Sequence, residues 1–359
     1  MTKDGSFKKV VRRHAAETGQ RYTEALTDLE GLQDRMHHEP VAEQLLAHLR
    51  ERYGIDATTA TKLSVHNTYV FRIDRNDGDP WVARAFPPAR PKAGAEGDAA
   101  VLRFLEKQSY PAERLAVDDA VSEFDGSAVL VTRFIEGTPI SGPLGPDQFA
   151  IMGELLGRLH ALPLDDSVSR PGGAQGSDPS REGSPRQDLL ASLSFLDSVD
   201  TKVAPADRDR FEQLRDQVRD ADAGEGLPES LLHGNLLHAV NHVVVTESDA
   251  VAFNWAASGR GPRIADLGWL LWGTGGWQPR QAYAPNIEAA IAAYRRHIEP
   301  TDEELDRLEA VMYIRPLYLV CWGYRRALAL SYGAAEWGFI EPPEYFADTA
   351  ALARKAFGR

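Results

Sequence analysis

The segment Leu231-Leu-His-Gly-Asn-Leu-Leu-His-Ala-Val-Asn241 gathers side chains capable of polar chemistry, and the same composition continues at Asn254-Trp255 and Asp266-Leu267. Two β-rich runs, Val243 to Thr246 and Ala250 to Phe253, are joined by Glu247-Ser248-Asp249. A hairpin of this size returns the chain to its starting point, so Asn241 and Asn254 are expected at one rim, with Asn235 in the loop just before it. Three carboxamides would then converge, with His233, His238 and His242 close by. Amide oxygens can ligate a hard cation and imidazoles can move protons near neutral pH. A hairpin with polar ends carries the same residues, so the choice rests on the elements that hold them.

Those elements change character along the chain. Residues 1–52 read as an N-terminal helical extension, with Leu26, Leu29, Leu32 and Met36, then Val41, Leu45 and Leu49, at helical steps around a break at Glu39-Pro40. From Ala60 to Phe86 the apolar period drops to two, through Lys62 to Val65, Tyr69 to Ile73 and Trp81 to Phe86, with a turn at Asn76-Asp77-Gly78. A helix from Glu96 to Gln108 places Val101, Leu102 and Leu105 on one face, and two further strands flank Asp125-Gly126. Residues 53–136 therefore predict a small antiparallel lobe with one inserted helix. Glu136-Gly-Thr-Pro139 is a candidate hinge.

Residues 137–359 read as a larger, mainly helical lobe. Its helices are expected at Pro146–Ala161 and near 188–198, 205–221, 264–273, 285–297, 302–331 and 343–357. Within it, residues 163–187 are rich in Gly, Ser, Pro and Asp and are expected to form a mobile insertion. The fold class is α+β, in two lobes.

Asp plus Glu number 53 against 40 for Lys plus Arg, a net charge of -13, which argues against a nucleic-acid partner held through phosphates. The single cysteine, Cys321, lies in an apolar run, so no disulfide framework is expected and the thiol reads as a small buried hydrophobe. The first thirty residues lack an apolar core, and no window is long and apolar enough for a membrane span, so the expected setting is cytoplasmic with no membrane partner.

The small antiparallel lobe, the hinge and the helical lobe with His233-Gly234-Asn235-Leu236 to Asn241, then Asn254-Trp255 and Asp266-Leu267, resemble the aminoglycoside phosphotransferase and choline kinase-like family, relatives of the protein kinases, over roughly residues 40–335. The resemblance implies a protein-kinase-like fold and ATP-dependent phosphorylation of a small molecule with Mg²⁺. It implies a base at position 235, metal ligands at Asn241 and Asn254, and His233 in the catalytic loop. It implies a phosphate-directed cation at Arg84 with a helix carboxylate partner at Glu96, or else Asp98, and a loop-holding carboxylate at Asp266. Asn67, in Ser64-Val-His-Asn-Thr68, falls in the loop that would cover a nucleotide. Trp272 and Trp277, in Trp272-Gly-Thr-Gly-Gly-Trp277, fall where the resemblance lines a substrate cleft, their glycines leaving room beside two rings. Glu336 and Glu341 could meet a cationic substrate.

The departures from the pattern bear on activity. Asn235 and Asn254 stand where the family places aspartates, Arg84 stands where lysine is usual, and the 64–68 loop contains no glycine. An amide accepts no proton near neutral pH and is a weaker, neutral ligand for Mg²⁺. Three readings stay open: a protein impaired or inactive in transfer that binds a nucleotide, a small molecule or peptide, or a partner protein; a working kinase, using ATP and Mg²⁺, that acts on a small-molecule or peptide hydroxyl; and a repurposed pocket in which His233, His238 or His242 supplies acid–base chemistry. In the first, no cofactor is required. Arg260 and Arg263 read as surface charges.

Overall fold

The computed structural model describes residues 42–65, 69–88, 90–140, 144–164, 168, 185–236, 242–276, 281–330 and 340–359, without the side chains of 64, 65, 202 and 325–330. The expected helices before residue 40, most of the 163–187 insertion, Asn67, Asn241, Trp277, His238 and Glu336 lie outside the described residues.

A short helix, α1 (Ala42–Tyr53), leads into β1 (Ala57–Val65), β2 (Tyr69–Arg75) and β3 (Trp81–Ala85). Helix α2 (Lys92–Lys107) follows, then β4 (Val121–Phe124) and β5 (Ser127–Arg133). The five strands form one sheet in the order β1-β2-β3-β5-β4, each neighbouring pair antiparallel. The alternation seen in the sequence faces the core through Tyr69, Phe71 and Ile73 on β2 and through Trp81, Ala83 and Ala85 on β3. Strand β5 is buried along almost its whole length, because β3 and β4 flank it and α2 packs on it.

The connection between lobes is a second, three-stranded sheet. Its strands are β6 (Thr138–Pro139), β8 (Val243–Val245) and β9 (Ala250–Ala252), in the order β6-β8-β9. The last two are the expected hairpin. It is not a free rim: the loop after α2 pairs with β9, Ala252 N donating to Pro111 O at 2.9 Å and Glu113 N donating to Ala252 O at 3.0 Å.

The helical lobe comprises α3 (Pro146–His160), α4 (Pro185–Val199), α5 (Arg208–Asp220), α6 (Arg263–Trp272), α7 (Ala284–Tyr294), α8 (Asp302–Met312), α9 (Ile314–Leu330) and α10 (Pro343–Ala356). Between α5 and α6, β7 (Glu229–Leu232) pairs antiparallel with β10 (Gly259–Pro262). The single helix expected over 302–331 is two, broken at Tyr313. Pro316 has no N–H to give the carbonyl one turn earlier, so it is tolerated in the first turn of a new helix and not in the interior of a long one. Cys321 is buried on α9, and burial pushes its thiol up to about 12. Among the described residues, no helix is long and apolar enough to cross a membrane.

Helix α3 lies against α7 closely enough to require glycine. A Cβ at Gly153 would stand 2.1 Å from the Ala290 carbonyl oxygen, and one at Gly157 would stand 2.7 Å from that of Tyr294. Because these obstacles are backbone, Gly153→Ala must force the helices apart. It is expected to cost about 1–3 kcal/mol of stability, measured as a lower urea midpoint at unchanged slope. An unchanged midpoint would mean that the helices separate freely.

Candidate active site

Strand β7 ends at Leu232 and delivers the chain to His233, whose backbone must reverse to pass Gly234. Gly234 has φ 76°, a left-handed conformation natural to glycine. Asp266, in the first turn of α6, holds this reversal: it accepts the N–H of His233 at 2.6 Å and that of Gly234 at 2.9 Å. Burial opposes ionisation of Asp266, but His160, whose Nε2 is 3.7 Å away, and His233 outweigh it and hold the carboxyl below the usual range. Asp266 thus accepts two successive backbone N–H groups of the loop.

His233 is fully buried, and both of its ring nitrogens are engaged. Nε2 donates to Phe253 O at 3.2 Å, and Nδ1 accepts the Asn235 N–H at 3.3 Å, with the ring against Trp255. Its position is that of a brace between loop and hairpin. Burial lowers the pKa of His233, and also that of His160, whose Nδ1 lies 3.0 Å from the Tyr294 hydroxyl.

Asn235 and Asn254 do come together, through His242. Both Nδ2 atoms address His242 Nε2, at 3.3 Å from Asn235 and 2.6 Å from Asn254. Asn235 Oδ1 accepts from Arg315 Nη2 at 3.0 Å, which leaves its NH₂ for the imidazole and makes Nε2 an acceptor. Asn254 has φ 68°, a conformation that asparagine tolerates better than most residues, and its N–H donates to Glu113 Oε1 at 2.7 Å. Asn241, expected at the same rim, lies outside the described residues.

Arg315 was not singled out by sequence reasoning. It enters from the first turn of α9, is 7% exposed, and packs its guanidinium 4.3 Å from the Trp269 ring centre. Its Nε and Nη1 are buried with no acceptor, and it makes no ion pair with a carboxylate among the described residues. Burial lowers its pKa, while Tyr318, Asp188 and Asp266 oppose that from farther away. A lone charge in the apolar stretch Met312-Tyr-Ile-Arg-Pro-Leu317 was the available signal.

The small-lobe cation has a different partner from the one expected. Arg84 pairs with Glu113, Nη1 to Oε1 at 3.3 Å, and Glu113 Oε2 accepts from Thr132 at 3.0 Å. Glu96 faces solvent near Lys92, and Asp98 is held by Arg90 through two 2.8 Å bonds. Helical phase explains this. Asp98 shares the buried face with Val101, Leu102 and Leu105, and Glu96 does not; Glu113 lies past the helix end, where periodicity carries no information.

Trp272 is likewise not open to a cleft. It is buried, stacks on Trp269 with centroids 4.6 Å apart, and donates through Nε1 to Glu341 at 2.8 Å, so Glu341 is turned inward as well. The room beside Gly275 is filled by Tyr345, whose ring and hydroxyl would lie 2.7 Å from an added Cβ. Arg263, read as a surface charge, forms two hydrogen bonds to buried Glu304, at 2.7 and 2.8 Å.

These side chains do not suit a resident Mg²⁺, which wants carboxylate and phosphate oxygens. The amides of Asn235 and Asn254 turn their NH₂ groups to His242, and a guanidinium stands behind Asn235. Among the described residues, no group of three or more His, Cys, Asp and Glu side chains could hold a metal ion.

A small antiparallel lobe, a hairpin-bearing connection and a helical lobe that grips its loop through an aspartate define a kinase-like phosphotransferase fold. The chain belongs to the phosphotransferase enzyme family, whose model matches residues 59–300. No curated protein matches it significantly. Among solved structures, it is similar to an amicoumacin kinase in complex with AMP-PNP and Ca²⁺, at 13% identity over 92% of this chain and 96% of that one, TM-score 0.59. A spectinomycin phosphotransferase in complex with ADP and spectinomycin matches at 14% identity over 88% and 99%, TM-score 0.53. A choline/ethanolamine kinase family protein from Mesorhizobium loti matches at 21% identity over 86% and 97%, TM-score 0.54.

The buried imidazoles give a pH signature. His160 and His233 bind protons more weakly folded than unfolded, so below their ordinary value of 6.5 the unfolded chain holds the extra protons. Stability is therefore full above that value and falls as pH drops through it, by up to about 1.4 kcal/mol per pH unit per histidine. Asp266 adds a loss of the same sign at lower pH. Melting temperature should fall from neutral pH toward acid, with a shallower slope in His160→Gln; a flat profile in the parent would contradict burial in the neutral form.

Proposed function

We propose that this phosphotransferase-family protein retains a cleft for a small-molecule ligand and is impaired or inactive in phosphoryl transfer. The observation that carries this reading is Asn235 held between the buried Arg315 guanidinium and His242. In a transferring enzyme this position accepts a proton and adds negative charge beside the metal; here it is neutral and backed by a cation. General-base and electrostatic contributions are each worth about 10²- to 10⁴-fold in rate, and the second carboxylate position, Asn254, is an amide as well. Arg84 is closed into an ion pair with Glu113 and mostly buried, which further weakens the case for a phosphate-directed cation. ATP and a divalent metal are the expected cofactors only if transfer survives, an analogy supported by the nucleotide complexes of the similar structures.

A second reading is favoured by one feature. His242 Nε2 is an acceptor at the point where Asn235 and Asn254 meet. In that reading His242 is the base of a repurposed or slowed kinase acting on a small-molecule or peptide hydroxyl.

Incubation of the full chain with Mg-ATP and a panel of hydroxyl-bearing small molecules separates the two. The first reading expects no acceptor-dependent ATP consumption, and a thermal shift with ATP that is absent or the same without Mg²⁺. Asn235→Asp with Asn254→Asp should then gain a Mg²⁺-dependent shift. Acceptor-dependent turnover by the native chain would overturn the first reading, and its loss in His242→Gln would establish the second.

A further inference from the structure

Three hydrogen-bond donor groups meet at this centre with few acceptors to receive them. The carboxamides of Asn235 and Asn254 share one imidazole nitrogen, and Arg315 has one hydrogen bond, to an amide oxygen, with Nε and Nη1 left over. The guanidinium is more than nine-tenths buried, and its ring contacts with Trp269 and Tyr318 supply no hydrogen-bond acceptor. Asp188 and Asp266 attract it from beyond ion-pair distance, and Asp266 is already committed to the backbone of His233 and Gly234. Desolvated cations are normally paired, and the strongest partners for a guanidinium are carboxylate and phosphate oxygens. Asn235 and Asn254 are only partly buried, so a ligand can reach their amides, and the guanidinium is hydrogen-bonded to the Asn235 oxygen.

We propose that the centre formed by Asn235, Asn254 and Arg315 binds an oxyanion, the carboxylate or phosphate group of the protein's ligand. The inference rests on the non-transferring reading, in which no metal or base competes for this space, and it reverses the expectation of a cationic ligand. The anionic oxygen takes the amide N–H groups now directed at His242, and Arg315 supplies the counter-charge. No bond is made or broken.

The test is a thermal-shift titration of the full chain with inorganic phosphate against chloride at matched ionic strength and neutral pH, without Mg²⁺. The native protein should show a saturable rise in melting temperature. Asn235→Asp places a carboxylate on Arg315, so this variant should lose the phosphate response. Arg315→Lys, which keeps the charge but not the planar donor set, should respond with affinity weakened at least about tenfold, and Arg315→Gln should not respond. If Arg315→Gln does not fold, Asn235→Asp remains decisive. A parallel titration with malonate separates a carboxylate preference from a phosphate one. No rise in the native protein, or an undiminished rise in Asn235→Asp, would overturn the proposal. Turnover with Mg-ATP would instead overturn the non-transferring reading, leaving the phosphate titration to judge the oxyanion site on its own.

Discussion

The arrangement of both lobes depends on the carboxylate of Glu113. It is 3% exposed and receives three donors: the Arg84 guanidinium from β3, the Thr132 hydroxyl from β5 and the Asn254 N–H from the loop after β9. A carboxylate this deep is tolerable only when paired and hydrogen-bonded, and removing one partner of such a pair is far more costly than the pair is worth. The same loop adds two backbone hydrogen bonds to β9, so Glu113 sits within a short seam joining the sheet of the small lobe to the hairpin of the large one. It also caps the backbone of Asn254 in its left-handed conformation. One buried anion therefore links the small-lobe sheet to the backbone of a residue at the centre.

This has an electrostatic consequence. Two buried small-lobe cations are neutralised internally, Arg84 by Glu113 and Arg90 by Asp98. A buried cation with no carboxylate at ion-pair distance among the described residues, Arg315, comes from the helical lobe and stands behind Asn235. With amides at 235 and 254, the centre has hydrogen-bond donors beside a buried guanidinium. Net charge gives no hint of this: the chain carries an excess of acidic residues, yet the local sign is set by one desolvated guanidinium.

Much of the fold was legible because it follows from short-range periodicity. The period-two runs that became β2 and β3, the Asp125-Gly126 turn, and the hairpin between Val243 and Ala252 appear where the sequence implies them. Asp266 stands in the first turn of an apolar helix. The helix split at Tyr313 was readable from Pro316 but is hidden by continuous apolar content on both sides. Glu113 and Arg315 were not identified, for a common reason: each acts across a contact far away in sequence, Glu113 with Asn254 and Arg315 with Asn235. Neither shares a motif with its partner. The family pattern points to Glu96, or else Asp98, as the partner of Arg84, although the phase of α2 turns Glu96 to solvent and Asp98 inward to Arg90.

The identity of residue 235 is matched to its two neighbours. A carboxamide has one accepting and one donating end, and here the oxygen faces a permanent cation while the NH₂ faces an imidazole nitrogen that accepts. An aspartate would improve the first contact and spoil the second, because two acceptors would face each other unless His242 took up a proton. His242 is itself buried, and protonating a buried imidazole carries a desolvation cost unless the new carboxylate offsets it. Alanine would leave both neighbours with an unmet polar group. Asparagine is the side chain that satisfies a guanidinium and a neutral imidazole together, so Asn235, His242 and Arg315 form one mutually consistent set. Position 235 is thus part of one polar centre that reaches an arginine eighty residues away.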